Sequence, residues 1–159
     1  MPSLHSHTPV DGTFFAVAPL CITVRRELPV SADELFRRFE DPEFWRRWIV
    51  DRVEWTSPAP LGRGATRNVW VGPLQAEEHF FAWDPGRRIA FTFARSTIGL
   101  LESFAEDYRL TDLGDGRCEL EWTMAFSTRG RIRGAGLIKK ALTLANGAVL
   151  ARIDRALKD

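Results

Sequence analysis

The sequence predicts a single α+β domain: one strand, two short helices, a return to strands that makes six to seven antiparallel strands in all, and a long C-terminal helix. Three observations support this prediction. After residue 30 the spacing of apolar residues changes from every second residue to that of a helix. Turn residues then divide positions 50–128 into short segments. Beyond them, the last segment of the chain has the wide apolar face of a long helix. The chain has 159 residues, which suits one core and is short for two.

Residues 1–20 form an extension rich in Ser, Thr, His and Pro, and we place the folded domain at residues 21–158. Phe14 and Phe15, near the end of the extension, are expected to dock on that domain. His5 and His7 have no third ligand nearby in the sequence, so no metal site is predicted there. The extension lacks the charged and apolar regions of a secretory signal, which favours a cytoplasmic protein.

The residues after the extension predict a strand followed by two helices. Residues 21–30 alternate between apolar and polar side chains, as in a half-buried strand. Ser31 and Glu34 have the spacing of a capping box, which starts a first helix. Asp41 and Pro42 give a second start signal, an Asp cap with proline at the first helical position.

The rest of the chain is typical of a strand meander that ends in a helix. Turn residues separate predicted strands at 53–57, 65–71, 77–83, 88–93, 102–110 and 118–126. From about residue 133 to 157, two adjacent apolar stripes predict a long helix with a wide apolar face. One of these stripes contains Leu137 and Ala141, and the other contains Ile138 and Leu142.

Composition excludes several classes of function. The net charge is +1, from 22 basic and 21 acidic residues, so the overall field does not attract nucleic acid. No apolar run approaches the ~20 residues that span a bilayer, so no integral membrane association is expected. Redox cofactor motifs are missing, and Cys21 and Cys118 are too few for a zinc site. No cofactor or metal is therefore predicted.

Aromatic residues are the unusual part of the composition. Six Trp and eleven Phe must line either a tight core or an apolar ligand cavity. A local basic cluster, TRGRIRGAGLIKK, precedes the last helix. Because no strand leads into a G-x-x-x-x-G-K motif, we interpret this cluster as a flexible approach to the helix with a solvated basic surface.

The two-residue period of a strand allows the inward face of each hairpin to be chosen by apolar content. In the first hairpin this count places Glu78 outward, and it places inward Glu77, His79, Phe81, Trp83, Ile89, Phe91 and Phe93. In the second hairpin the predicted inward residues include Phe104, Glu106, Tyr108, Trp122, Met124 and Phe126. An imidazole and carboxyls are thus predicted on an aromatic face.

Ionisable groups on such a face need an explanation, because an unpaired buried carboxylate is costly. Glu106 is expected to have a raised pKa, which suits proton exchange with a carbonyl substrate. The alternative is structural: an inward glutamate pairs with an arginine such as Arg67, Arg95 or Arg26, and an inward histidine satisfies a neighbouring hydrogen bond. Both interpretations stay open at the level of sequence.

Several stretches resemble the START/Bet v 1-like (SRPBCC) superfamily, in particular its polyketide cyclase/dehydratase-like members. They are ITVRRELPVSADELFRRFEDPEFWRRW, LGRGATRNV and WDPGRRIAFTF. The resemblance implies a helix-grip fold, in which a curved antiparallel sheet wraps around the long C-terminal helix and leaves an apolar cavity. It also implies that the basic cluster borders the cavity mouth. Members include lipid carriers, cyclases and chaperone activators, so the fold alone does not give the function.

Three hypotheses follow. The first is a carrier or sensor of a small hydrophobic or aromatic ligand, with a lining drawn from Trp55, Trp70, Glu77, Phe81, Trp83, Phe91, Phe93, Trp122, Met124, Leu137 and Ala141. The second is a cofactor-independent cyclase or dehydratase in which His79 and Glu106 act as base and acid while Tyr108 orients an oxygen. The third is an interaction module like the chaperone activators, which a filled core would favour. The sequence leaves a monomer and a homodimer equally open.

Overall fold

A computed structural model describes residues 2–159 and confirms the α+β helix-grip fold. The strands are β1 (His5–Ser6), β2 (Leu20–Leu28), β3 (Arg52–Trp55), β4 (Thr66–Val71), β5 (Leu74–Asp84), β6 (Arg88–Ser96), β7 (Leu101–Gly114) and β8 (Arg117–Thr128). The helices are α1 (Ala32–Glu40), α2 (Pro42–Trp48) and α3 (Ala135–Lys158). Seven strands form one antiparallel sheet in the order β2-β8-β7-β6-β5-β4-β3, and β1 pairs with β6.

The two short helices start where the sequence predicts. The Ser31 hydroxyl accepts a hydrogen bond from the Glu34 amide at 3.2 Å, and the Asp41 carboxylate accepts one from the Glu43 amide at 2.9 Å. Apolar residues at helical spacing on α1 are buried, and Phe39 stacks on Trp45 of α2 with ring centroids 5.3 Å apart. The helices therefore pack as one aromatic unit against the sheet.

The long helix α3 has two differently packed halves. Its C-terminal half packs on β2, with Leu150 and Ile153 buried and Arg26 paired to Asp154 at 2.8 Å. Its N-terminal half leaves the stripe that contains Leu137 and Leu144 exposed to solvent. No helix within residues 2–159 is long and apolar enough to cross a bilayer.

The N-terminal extension fills a gap in the sheet. β6 pairs with β7 only as far as Thr92, and beyond that point β1 pairs with β6 instead. The His7 amide donates to Ala94 O and the Thr8 amide to Glu102 O, both at 2.9 Å, so this segment bridges the diverging strands. Phe15 packs beside Phe81 on the outer face of the sheet, with ring centroids 6.4 Å apart.

One irregularity in β5 changes which side chains face inward, because Phe81 is left out of the pairing with β6. The register between β5 and β6 shifts between Glu77 and Glu78 and again between Phe80 and Ala82. The first shift skips Ala94 of β6 and leaves β5 regular, with Ala76, Glu78 and Phe80 buried and His79 exposed. After the second shift Trp83 again lies inward, where its ring contacts Phe80 and Phe36.

Candidate functional site

A cavity of about 530 Å³ lies between the concave face of the sheet and the N-terminal half of α3. Its volume is in the range of small-molecule sites. Most of its walls are apolar, and on α3 it is lined by Ile138, Leu142, Asn146 and Val149. The sheet contributes aromatic and aliphatic residues that include Val69, Phe91, Phe93, Phe104, Trp122, Met124 and Phe126. The filled core that would favour an interaction module is therefore not found.

A buried ion pair stands among these apolar walls. Arg67 on β4 and Glu78 on β5 both line the cavity, and Arg67 Nε donates to Glu78 Oε2 at 2.5 Å. Their side chains are only 3% and 5% exposed. Burial is the main cause that raises the pKa of Glu78, and the Arg67 charge and hydrogen bond oppose it. The guanidinium of Arg67 stays charged in proteins, and this charge favours the ionised form of Glu78.

Arg67 is held by aromatic rings as well as by its partner carboxylate. Its guanidinium carbon lies 4.7 Å from the ring centre of Trp45, 5.1 Å from that of Phe80 and 5.4 Å from that of Phe91. Nη1 is buried and has no hydrogen-bond partner among residues 2–159. Asn146 Nδ2, on the opposite wall, is also buried and has no hydrogen-bond partner among these residues. Two residues that line the cavity therefore each carry a buried donor that no described residue satisfies.

Glu106 is the second carboxyl of the site. The Tyr108 hydroxyl and Trp122 Nε1 both donate to its Oε2, the latter at 2.9 Å. Burial, together with the nearby Glu78 charge, raises the pKa of Glu106 to about 7, although its two hydrogen bonds and Arg67 lower it. A carboxyl with such a pKa exchanges protons near neutral pH.

The structure brings part of the predicted set together. Six of the predicted site residues line the cavity: Phe91, Phe93, Glu106, Tyr108, Trp122 and Met124. They lie on β6, β7 and β8. The pairing of β6 with β7, and that of β7 with β8 over residues 104–110, has no register shift. Their roles in binding or catalysis stay predictions.

The predicted inward orientation of Glu77, His79 and Phe81 is wrong. These residues do not line the cavity, because Ala76, Glu78 and Phe80 face inward up to the bulge at Phe81, where the alternation inverts. Glu77 instead pairs with Arg95 at 2.5 Å, so the arginine pairing suggested for an inward glutamate occurs on the outer face. His79 therefore has no route to a ligand in this cavity.

Five other predicted lining residues also lie elsewhere. Trp55 and Trp83 belong to the core beside the cavity, with their ring centroids 6.0 Å apart, and Trp55 Nε1 donates to Glu40 O. Trp70 stacks under the guanidinium of Arg52, outside the cavity. Leu137 and Ala141 are exposed, because α3 turns its other apolar stripe toward the sheet.

Three polar residues of the site were not predicted as site residues: Arg67, Glu78 and Asn146. Asn146 had a usable signal, since it is the polar member of the stripe Ile138, Leu142, Asn146 and Val149. Arg67 was named only as a possible partner of an inward glutamate, and Glu78 was predicted to face outward, because their strands gave no clear inward face or gave the wrong one. Their pairing becomes visible only with the register of β4 on β5, where the two residues are direct partners.

Comparison with known proteins agrees with this geometry. Residues 19–159 match the family described as polyketide cyclase / dehydrase and lipid transport. The chain belongs to this family. An uncharacterised protein of Mycobacterium tuberculosis is 36% identical over 136 residues, which cover 84% of this chain and 81% of the relative. A protein of Mycobacterium bovis, also uncharacterised, shows the same identity and coverage.

Solved structures of low sequence identity share the fold of this family member. A START superfamily protein from Mycobacterium smegmatis has a TM-score of 0.67 at 13% identity, covering 86% of this chain and 98% of that protein. The di-domain ARO/CYC BexL from the BE-7585A biosynthetic pathway has a TM-score of 0.71 at 16% identity, covering 87% of this chain and 46% of that protein. At such identities the likeness establishes the fold only.

Proposed function

We propose that the protein binds a small hydrophobic or aromatic molecule in the cavity, as a carrier or sensor, and that this molecule presents one oxygen atom to Arg67. The observation that supports the proposal is a mostly apolar cavity with an unpartnered, buried Arg67 Nη1. The family description, which includes lipid transport, is consistent with such a ligand.

The apolar walls and the polar cluster contribute in different ways. Aromatic and aliphatic walls favour any apolar molecule of suitable size, since they remove its surface from water. A buried donor without a partner is costly, so a ligand oxygen that accepts from Arg67 Nη1 relieves that cost. An analogue without this oxygen leaves the donor unsatisfied and binds more weakly.

The charges in the cluster favour a neutral oxygen over a carboxylate. Glu78 already balances Arg67, and Glu106 is half ionised near neutral pH, since its pKa is about 7. A carboxylate ligand would add a second negative charge next to Glu106. A hydroxyl or carbonyl group accepts from Arg67 without this repulsion, and a hydroxyl also donates to Glu106.

Native mass spectrometry of freshly purified protein tests the proposal directly, because a co-purifying small molecule adds its own mass. Titration with the fluorescent probe 2-naphthol gives the affinity, and naphthalene serves as the analogue without oxygen. Leu142→Trp fills the cavity, whereas Ala141→Trp changes the exposed neighbour on the same helix. We expect only Leu142→Trp to weaken probe binding. Equal affinities in both variants and the wild type would rule out the cavity as the binding site.

A second candidate function is a cofactor-independent cyclase or dehydratase, and the position of Glu106 favours it. Its carboxyl lines the cavity with a pKa of about 7 and is held by Tyr108 and Trp122. It is therefore suited to remove a proton beside a substrate carbonyl and return it to the oxygen that leaves as water. His79 has no part in this scheme, because it lies on the outer face.

One variant, Glu106→Gln, distinguishes the carrier from the enzyme. Glu106→Gln keeps the shape of the side chain and removes its proton exchange. For a carrier, this change leaves the affinity for 2-naphthol within a few-fold. For an enzyme, turnover of an aromatic poly-β-ketone substrate falls by 10²-fold to 10⁴-fold while binding is retained.

A further inference from the structure

The end of the molecule at which the cavity opens carries large exposed aliphatic side chains. Ile98 and Leu100, in the loop between β6 and β7, line the cavity and are also exposed, Leu100 by 63%. Residues that both line a cavity and contact solvent mark its opening. On the first three turns of α3, Leu137 and Leu144 are 76% and 67% exposed and lie on the side of the helix turned away from the lining residues Ile138 and Leu142. We call these four residues the apolar rim.

The basic cluster of the sequence lies at the same end. The connection from β8 to α3 and the start of α3 carry Arg129, Arg131, Arg133, Lys139 and Lys140, all of them exposed. No salt bridge within residues 2–159 involves any of the five. Residues 122–153 contain no Asp or Glu at all. A protein with a net charge of only +1 thus has more basic than acidic residues at this end, where Arg129 also donates to Leu101 O and Ser6 O and Glu102 is the nearby acidic residue.

We propose that the apolar rim and these five basic residues dock the protein on an anionic lipid bilayer, with the cavity opening toward the lipid. An exposed apolar patch of this kind marks an interaction site, and basic residues flanking leucines suit a helix that lies at a membrane interface. Anionic headgroups attract the arginines and lysines, while the boundary of the acyl chains accepts the leucines. One kind of surface therefore complements both parts of the patch.

Other occupants fit less well. A second copy placed symmetrically on this patch would bring five basic residues of each chain together, which repels. An acidic soluble protein would complement the charge, but a highly charged surface does not cover Leu100, Leu137 and Leu144. The proposal goes beyond ligand binding and does not depend on which molecule the cavity holds.

Co-flotation with vesicles tests this docking. We expect binding to vesicles of phosphatidylcholine and phosphatidylglycerol, little binding to phosphatidylcholine alone, and a strong decrease at high salt. Each basic residue near an anionic surface contributes about fivefold in affinity, so Arg131→Glu/Arg133→Glu is expected to lose about 25-fold or more. Arg63→Glu/Arg87→Glu is the matched control, because it makes the same charge change at exposed positions at the opposite end of the sheet.

A double change of the apolar rim, Leu100→Ser/Leu137→Ser, tests the second part of the patch and is expected to weaken binding even where the charge is intact. The circular dichroism and melting temperature of every variant must match the wild type before the affinities are compared. Equal binding to neutral vesicles, equal loss in the control, or no binding to anionic vesicles at low salt would each overturn the proposal. Binding to soluble poly-glutamate but not to anionic vesicles would assign the patch to an acidic protein partner instead.

Discussion

Trp122 and Glu106 are joined by a buried hydrogen bond in which the indole Nε1 donates to Oε2 at 2.9 Å. The Tyr108 hydroxyl donates to the same oxygen, and among the described residues no donor contacts Oε1. The residues lie on the neighbouring strands β7 and β8, where Glu106 pairs with Met124 and Tyr108 with Trp122. The carboxyl is thus fixed on one side, and its other oxygen is left for whatever enters the cavity.

The raised pKa of Glu106 predicts a pH dependence of stability. Between pH 4.5 and about 7 the unfolded chain has lost this proton and the folded chain still binds it, so stability falls as the pH rises. The full difference corresponds to about 3 kcal/mol. We expect urea unfolding across this range to show the decrease in the wild type and a smaller one in Glu106→Gln. Glutamine still accepts from Tyr108 and Trp122, so the comparison isolates the titration. Parallel curves would contradict the assignment.

The buried ion pair predicts a large loss when one partner is removed. Arg67→Met leaves Glu78 buried without its cation, which is expected to destabilise the fold by about 3–5 kcal/mol at neutral pH. The double variant Arg67→Met/Glu78→Gln removes the stranded charge and is expected to recover most of that loss. The measurement is the free energy of unfolding in urea.

A matched control for the ion pair is present on the same strand. Glu77, next to Glu78, pairs with Arg95, whose side chain is half exposed. Arg95→Met is expected to cost less than about 1 kcal/mol, because exposed pairs contribute little. Equal losses for Arg67→Met and Arg95→Met would show that Arg67 is more accessible to water than the structure indicates.

The sequence predicted regular elements well and failed at one irregular strand. Apolar alternation identified the inward faces of β6, β7 and β8, where large apolar side chains alternate with smaller or polar ones. It failed over residues 77–81 of β5 for two reasons. A register shift between Phe80 and Ala82 inverts the inward face of the strand. In addition, Phe80 and Phe81 are equally apolar, so the composition does not show where the inversion occurs. A shift of this kind depends on the neighbouring strand, so a count of apolar residues along β5 does not detect it.

The long helix shows a second limit of the same method. Its two apolar stripes are similar in composition, so the sequence predicted one wide buried face. The sheet covers only the stripe that contains Ile138 and Leu142, because the other stripe lies about 100° further round the helix. Leu137 and Ala141 were assigned to the lining for this reason and lie outside it.

The orientation of β5 can be tested with two neighbouring residues. His79 is exposed and Phe80 is 3% exposed, packed against Phe91 and Trp83. His79→Ala is therefore expected to change the free energy of unfolding by less than about 0.5 kcal/mol. Phe80→Ala is expected to cost about 3–5 kcal/mol because it leaves a void in the core. The opposite ranking in thermal or urea unfolding would restore the inward orientation of His79.

His7 is predicted to hold the loop at the cavity opening in a pH-dependent way. Its Nδ1 lies 3.0 Å from Leu101 O and its Nε2 lies 2.7 Å from Ser96 Oγ, which also accepts from the Ile98 amide. The Leu101 carbonyl needs the proton on Nδ1, and in the neutral ring Nε2 then accepts from the serine hydroxyl. Burial is the main cause that lowers the pKa of His7 below 6.5.

The sign of this effect follows from the lowered pKa. Below pH 6.5 a released His7 takes up a proton more readily than the packed one, so the packed arrangement weakens as the pH falls toward the lowered pKa. Hydrogen exchange at residues 97–101, corrected for intrinsic rates, should therefore show protection that decreases with acidification in the wild type. His7→Ala is expected to reduce this protection by about 1–2 kcal/mol at neutral pH and to remove its pH dependence. Val17→Ala, at an exposed residue later in the same extension, should leave both unchanged. Identical exchange in His7→Ala and the wild type would mean that the extension does not hold this loop.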